Sequence, residues 1–157
     1  MARRRRAEKR VALPDAKFES LVVNRLISAV MSDGKRSTAE RIVYGAIDIV
    51  NENNHDSNPL DLLQKAIDNA KPRLEVKSRR VGGATYQVPT EVPPERQLAL
   101  AMRWIVGFAQ KRKGVAMKKA LASEIKEASL GQGNAIKKRD DVHKMAQANR
   151  AFAHLRF

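Results

Sequence analysis

The apolar residues in the first half of the chain recur at the spacing of amphipathic helices. They follow one another every three or four positions over residues 18–31, 42–50 and 62–70. Since an α-helix turns once in about 3.6 residues, this spacing collects the apolar side chains on one face. The pattern predicts three helices that pack on a common core, with Asp33 and Gly34 ending the first.

Polar residues predict where the second and third helices begin. Ser37 and Glu40 have the separation of a capping box, in which two side chains satisfy the free N–H groups of a helix start. Asn58 followed by Pro59 is typical of an N-cap and a first helical position. Pro72 is expected to end the third helix, because proline cannot continue the hydrogen-bond ladder.

The hydrophobic period changes to two over residues 74–88. This alternation predicts a β-hairpin, and Gly82 with Gly83 provides its turn. A lone two-stranded ribbon is marginally stable, and Arg79 and Arg80 crowd its tip, so the pattern favours a hairpin that projects towards a partner. A hairpin that closes over the core is the alternative.

Three more helices are predicted after a proline-rich connection. Apolar stripes cover residues 98–109 and 117–128, and Gly114 separates them. A sixth helix is predicted from about Asn134 towards the C-terminus. Its side chains expected to pack inward are Ile136, Val142, Met145, Ala148, Phe152 and Ala153.

Together these elements predict a mainly α fold, a six-helix bundle-like body with one protruding β-hairpin between the third and fourth helices. We expect residues 1–157 to form a single domain. Residues 1–16 have little apolar content, so a disordered basic arm is predicted there. The cations of this arm are Arg3, Arg4, Arg5, Arg6, Lys9 and Arg10.

The charge of the chain is strongly positive and unevenly distributed. The formal net charge is +14 at pH 7. No acidic residue occurs between Glu75 and Glu91, between Glu95 and Glu124, or after Asp141. A surface that only keeps a protein soluble mixes both signs, so these windows predict cationic faces that bind a polyanion.

Two basic clusters coincide with predicted helix starts. Lys137, Lys138 and Arg139 lie near the start of the sixth helix, where cations oppose the helix dipole. A phosphate bound to the free N–H groups of that end would reverse the sign of the interaction. Lys35 and Arg36 precede the second helix in the same way, so we expect an anion site at each place.

The sequence gives little support to catalysis, metal binding or a cofactor. The chain has no cysteine, which excludes disulfides and thiol chemistry. His143 and His154 are too far apart on one predicted helix to share a metal, and His55 belongs to a polar loop. Asp140 and Asp141 follow three cations and are interpreted as local charge balance. We expect no enzymatic activity.

The choice among polyanions depends on what the chain lacks. Aromatic residues make up 4%, which disfavours binders that stack single-stranded bases. No apolar run is long enough for a membrane and no secretory signal is present, so a cytoplasmic protein without a membrane partner is expected. An arm, a ribbon and several basic faces favour structured RNA. An architectural DNA-binding protein and a cationic membrane-surface protein are the alternatives.

Four segments resemble the bacterial-type family of small-subunit ribosomal protein seven. They are GKRSTAERIVYGA at 34–46, RRVGGATYQVP at 79–89, LALAMRWIVGFA at 98–109 and KKRDDVHKMAQANRAFAH at 137–154. Their order and spacing agree with that family over nearly the whole chain. The resemblance implies a six-helix body with a β-ribbon that binds the 3′ major domain of small-subunit ribosomal RNA, organises assembly of the subunit head and catalyses nothing.

The resemblance also implies which residues touch RNA and other partners. The expected rRNA-binding residues are Arg3, Arg4, Arg5, Arg6, Lys9, Arg10, Lys35, Arg36, Lys77, Arg79, Arg96, Lys111, Arg112, Lys113, Lys118, Lys119, Lys137, Lys138 and Arg139. The residues expected to face exit-site tRNA and mRNA are Arg79, Arg80, Val81, Gly82, Gly83, Ala84, His143, Lys144, Arg150 and Arg156. Neighbouring ribosomal proteins are further expected partners, with protein eleven of the small subunit implied by the family.

Overall fold

The computed structural model describes residues 12–52 and 58–155. In these ranges the chain forms six α-helices, one antiparallel pair of strands and a final 3-10 helix. The elements are α1 (Leu21–Val30), α2 (Arg36–Asn51), α3 (Asp61–Ala70), β1 (Leu74–Val81), β2 (Ala84–Glu91), α4 (Pro94–Lys111), α5 (Met117–Ser129), α6 (Asn134–Ala148) and the 3-10 helix Arg150–Leu155. The predicted fold class, a mainly helical body with a hairpin between α3 and α4, is confirmed.

The six α-helices share a core of buried apolar side chains. The centre of this core is α5, which packs on α2, α3 and α4. Leu121 and Ile125 of α5 are almost completely buried, at 0% and 1% exposure. Burying side chains of this size stabilises a fold by about 1.5–3 kcal/mol each, so the predicted apolar stripes account for the packing of the body.

The described part of the chain includes the last five residues of the predicted arm, residues 1–16. Residues 1–11 lie outside the described part of the chain, but residues 12–16 are described. Asp15, which the prediction included in the arm, is only 3% exposed. The arm prediction is therefore wrong at Asp15, and the reason is a set of local hydrogen bonds.

Asp15 fastens the chain to the body before α1 begins. Its carboxylate accepts hydrogen bonds from the backbone N–H groups of Lys17, Phe18 and Ser20 at 3.0–3.1 Å. The hydroxyl of Tyr44 on α2 donates to the same carboxylate at 3.2 Å. Burial raises the pKa of Asp15, but the hydrogen bonds favour its ionised form more strongly and hold the pKa below the usual value.

The predicted capping box at the start of the second helix is wrong. α2 already begins at Arg36, and no side chain caps it. Glu40 accepts a hydrogen bond from Nε of Arg36 at 2.8 Å instead of returning to a helix start at Ser37. Asp33 and Gly34 both have positive φ and turn the chain tightly, which brings it into the helix earlier than predicted.

The predicted start of the third helix is also wrong. The side chain of Asn58 accepts a hydrogen bond from the N–H of Leu60 at 3.1 Å and closes a turn. α3 therefore begins at Asp61 and not at Pro59. Asparagine favours this turn and an N-cap equally well, so the residue type alone could not decide between them.

The hairpin has the predicted turn and a longer second strand. Gly82 and Gly83 have φ values of +58° and +89°, which glycine adopts without steric cost. Pairing begins at Val81 opposite Ala84 and continues past the predicted end at residue 88 to Glu91. β2 includes Pro89, which an edge strand accepts because one side of each residue needs no partner.

The hairpin packs at its base and along one flank, while its tip is exposed. β1 packs on α6, and β2 packs on the 3-10 helix, where the rings of Tyr86 and Phe152 lie 5.3 Å apart. Val88 at the base is fully buried. The two predicted alternatives, projection and packing, thus describe different parts of the same hairpin.

The predicted packing of the sixth helix is partly wrong. Met145 and Ala148 are exposed, and Ala146 is buried in their place. The inward face of α6 includes the half-buried Arg139 and His143, and polar residues on that face shift the apolar pattern. Ala153, also predicted to pack, is exposed in the 3-10 helix that follows α6.

Candidate nucleic-acid interface

Cations that are distant in the sequence share one groove at the starts of α2 and α5. Lys35 lines one part of the groove and Lys118 lines the next. Thr38, Ile42 and Met117 belong to both parts, so the groove is continuous. The fold therefore places two predicted RNA-binding lysines on a common surface.

Neither helix start beside this groove is capped by a side chain. The N-cap residues are Lys35 for α2 and Ala116 for α5, and neither helix has an acidic residue in its first turn. Lys118 and Lys119 lie in the first turn of α5 and are exposed. Uncapped N–H groups next to lysines attract an oxyanion, and phosphate is the oxyanion that a nucleic acid supplies.

Three predicted RNA-binding residues have partners at the protein surface. Arg36 pairs with Glu40 at 2.8 Å. Arg96 and Lys77 both pair with Glu75, at 2.9 and 3.3 Å. The Arg36–Glu40 pair is partly exposed, so Arg36 can turn to a phosphate at small cost. Glu75 is only 9% exposed, so a phosphate that drew both Arg96 and Lys77 away would leave a buried carboxylate without its charge partners.

Arg112, directly after α4, joins that end of the chain to α5 through two ion pairs. Its guanidinium donates to Glu124 and Glu127, with Nη2 at 2.7 Å from an oxygen of each. Hydrogen bonds to Glu127 and Glu124 raise the pKa of Arg112, and Glu124 is completely buried. The exposed cations of this loop are its neighbours Lys111 and Lys113.

Of the three cations in the basic cluster at the start of α6, one is bound to the protein and two are exposed. Arg139 donates to the backbone carbonyl of Asn69 at the end of α3 and to the carboxylate of Asp140. It therefore joins α6 to α3. Lys137 and Lys138 are exposed, and they are the members of the cluster that can reach an external anion.

A carboxylate of the protein lies beside the first turn of α6. Gly133, the N-cap, has a φ of +90°, and a Cβ atom placed on it would lie 2.9 Å from Oε2 of Glu127. The predicted anion site therefore already has an acidic neighbour, and its remaining external part is the pair Lys137 and Lys138.

The tip of the hairpin carries its cations in an exposed position. Arg80 lies opposite Thr85, one pair from the end of the ladder at Val81, and Arg79 lies opposite Tyr86, two pairs from that end. Both arginines are exposed. The turn residues and Ala84 are exposed as well, so the tip can approach a partner closely.

His143 docks the hairpin on α6. Its Nε2 atom accepts a hydrogen bond from the N–H of Arg73 at 2.9 Å, just before β1. Burial, with the nearby charge of Arg139, lowers the pKa of His143 and favours the neutral ring that can accept this bond. Lys144 and Arg150, predicted with His143 to face tRNA and mRNA, are exposed.

Several predicted site residues lie outside the described ranges. They are Arg3, Arg4, Arg5, Arg6, Lys9, Arg10 and Arg156. In the described ranges the sequence analysis missed Arg25 and Arg103, which line a groove between α1 and α4. Arg103 lies in the stretch between Glu95 and Glu124 that has no acidic residue, and this stretch could have indicated it. Arg25 has no such signal in the sequence and is brought to the groove by the packing of α1 on α4.

The described residues contain neither a membrane-spanning helix nor a cluster of metal ligands. None of their helices combines the length and apolar character that crossing a membrane requires. Residues 12–52 and 58–155 also contain no group of three or more side chains suited to holding a metal ion. The dominant chemical feature of the described surface is its exposed cations.

A helical body with exposed lysines at uncapped helix starts and a cationic ribbon defines a structural RNA-binding protein. The family model described as ribosomal protein S7p/S5e matches residues 2–150. Small ribosomal subunit protein uS7 of Akkermansia muciniphila is 63% identical, and the proteins of that name from Caulobacter vibrioides and Sorangium cellulosum are 55% and 54% identical. Each similarity covers 100% of both chains.

The chain belongs to the S7p/S5e family of ribosomal proteins. The resemblance predicted from the four sequence segments is thereby confirmed. Members of this family are structural, non-enzymatic parts of a ribonucleoprotein, so the expectation of a protein without catalytic activity agrees with the family.

Proposed function

We propose that this chain is a structural rRNA-binding protein of the small ribosomal subunit in the cytoplasm. In this proposal it binds the 3′ major domain of the rRNA and organises assembly of the subunit head. The observation that carries the proposal is the grouping of exposed cations from distant parts of the chain, above all Lys35 and Lys118 in one groove. The names of the relatives, small ribosomal subunit protein uS7, support the same assignment.

The distribution of the cations favours a folded RNA over a straight duplex. Exposed lysines occur at the starts of α2, α5 and α6, and exposed arginines occur at the hairpin tip. These cations thus lie at three places in the fold, which are the groove at the starts of α2 and α5, the start of α6 and the hairpin tip. An RNA that folds around the protein can neutralise all of them, whereas a straight duplex meets one face at a time.

The proposal is tested by binding a transcript of the 3′ major domain at increasing salt. Affinity should fall steeply, because each neutralised phosphate releases counterions. Replacing Lys137 and Lys138 with alanine should lower the slope of log affinity against log salt by about 0.7–0.9 for each lost contact. The matched control is Lys65→Ala, an exposed lysine of α3, which should leave the slope unchanged.

Duplex DNA at equal phosphate concentration serves as the competitor. It should displace the transcript poorly, since it lacks the folded shape that reaches several faces. Displacement as effective as that by unlabelled transcript would contradict the proposal and favour the architectural DNA-binding alternative. An affinity insensitive to salt would contradict binding of either nucleic acid through phosphate contacts.

We also propose that the hairpin tip and the segment from His143 to Arg150 lie near exit-site tRNA and mRNA, and that protein eleven of the small subunit is a neighbour. The exposure of Arg79, Arg80 and Lys144 supports this. The double variant Arg79→Gln with Arg80→Gln keeps the strand pairing and should still assemble into subunits. Reconstituted ribosomes should then release exit-site tRNA faster, and an unchanged release rate would refute this role.

A further inference from the structure

α1 and α4 border an open groove. None of the RNA-binding residues predicted from the sequence lines it. Its volume is about 740 Å³, and its floor contains Leu98, Met102 and Val106 of α4. Arg25 of α1 and Arg103 of α4 also line it. The groove thus combines an apolar floor with two guanidinium groups.

Small residues keep the groove open. Ala29, Ala99 and Gly107 belong to its lining. A Cβ atom placed on Gly107 would meet no atom within 4 Å, so the space above it is empty because the residue has no side chain. Glycine is disfavoured inside a helix relative to alanine, and its presence in α4 therefore needs an explanation other than helix stability.

The two guanidinium groups are available to an external anion. Arg25 and Arg103 are exposed, and neither has a hydrogen-bond or ion-pair partner among residues 12–52 and 58–155. Glu95, which also lines the groove, does interact with another group. Gln110 lines both this groove and the one that contains Lys35 and Asp33, so the two grooves adjoin.

We propose that the groove between α1 and α4 binds an unpaired nucleotide of the ribosomal RNA, with its base over the apolar floor and its flanking phosphates on Arg25 and Arg103. This inference rests on the proposed function. A base has apolar faces and a phosphate has the charge that a guanidinium binds through paired N–H groups. The amide of Gln110 can both donate to and accept from a base edge.

Other occupants fit the groove less well. A duplex keeps its base faces stacked, so it would contact the two arginines and leave the apolar floor in water. An acidic peptide would satisfy the arginines, but the adjoining groove with Lys35 extends the cationic surface beyond one or two carboxylates. A continuous polyanion with an accessible base meets both requirements.

The first test fills the groove without disturbing the core. Gly107→Leu places a side chain in the empty space, and Gly107→Ala is the matched control for helix propensity. With a transcript of the 3′ major domain, Gly107→Leu should bind about tenfold more weakly, which corresponds to a loss of about 1.4 kcal/mol of binding free energy, and Gly107→Ala should bind like the original chain. Chemical probing should show one or a few unpaired nucleotides regaining reactivity only with Gly107→Leu.

The second test changes the surface alone, so it stays informative if Gly107→Leu folds poorly. Arg25→Gln combined with Arg103→Gln should lower the salt slope by about 1.4–1.8, the sum of two phosphate contacts. It should expose the same nucleotides as Gly107→Leu, while Lys65→Gln should change neither the slope nor the reactivity.

The outcomes separate the two proposals. If the unmodified chain protects no part of the transcript, the proposed function fails. If it protects the transcript and both sets of groove variants leave every protected nucleotide unchanged, the groove proposal is overturned and the proposed function stands. The groove proposal is also overturned if the variants bind RNA normally but fail to retain a neighbouring ribosomal protein in reconstituted subunits.

Discussion

Four arginines in the described part of the chain look alike in the sequence but differ in what they contact. Arg112 and Arg139 donate to oxygens of the protein itself, and the resemblance to the family assigned both to RNA binding. Arg25 and Arg103 have no partner in the described part of the chain, and the sequence analysis assigned neither to RNA. Whether an arginine is available depends on the carboxylates and carbonyls that the fold brings near it, and these come from distant positions.

Arg112→Met should destabilise the protein by about 3 kcal/mol. The substitution keeps much of the side-chain volume but leaves the carboxylate of Glu124, which is completely buried, without its charge partner. The free energy of unfolding in urea at neutral pH measures the loss.

Lys113→Met is the control for Arg112, since it removes a charge from the same loop at an exposed position. It should change the unfolding free energy by no more than about 0.5 kcal/mol and weaken RNA binding. The reverse pattern, a stable Arg112→Met protein with poor RNA affinity, would return Arg112 to the RNA-binding residues.

At the scale of elements, periodicity predicted each helix and the hairpin, but not all of their ends. The apolar stripes of α4 and α5 are long and regular, so tertiary packing and local pattern agree. α2 begins earlier than predicted because of the turn at Asp33 and Gly34, and α3 begins later because one hydrogen bond of Asn58 closes a turn, and residue type alone determines neither. In α6, Ile136 is buried as predicted, whereas Met145 and Ala148 are exposed, because Arg139 and His143 lie on the inward face of the helix.

The contact between the hairpin and α6 should depend on pH through His143. The folded-state pKa of His143 lies below 6.5, because burial and the charge of Arg139 oppose protonation. Its stabilising contribution is therefore fully present above pH 6.5 and is lost as the pH falls through the lowered folded-state pKa. The charge of Asp140 raises the pKa of His143, whereas the charge of Arg73 lowers it, as that of Arg139 does.

Hydrogen exchange of the Arg73 amide measures this contact, once corrected for the intrinsic effect of pH. Protection should fall on acidification in the original chain, and His143→Leu should lack it at every pH. His154→Leu is the control, because the hydrogen bond of that ring lies within its own 3-10 helix, to the carbonyl of Ala151. Protection that is unchanged in His143→Leu would show that other contacts hold the hairpin.

At the scale of the whole molecule, the net charge of +14 opposes the compact state. Added sodium chloride should therefore raise the melting temperature of the free protein, because salt screens the repulsion between cations. The same salt should weaken the RNA complex. Calorimetry of the free protein across the salt range used for RNA binding measures the first effect, and a falling melting temperature would contradict it.

The central position of α5 also bears on how the chain reaches its native state. α2, α3 and α4 all pack on α5, which comes last of the four in the chain. While a ribosome is still synthesising residues 1–116, the apolar faces of the earlier helices have no permanent cover. The nascent polypeptide must wait for Met117–Ser129 to leave the exit tunnel before it can close, and a chain cut short at residue 116 is expected to aggregate or to recruit chaperones.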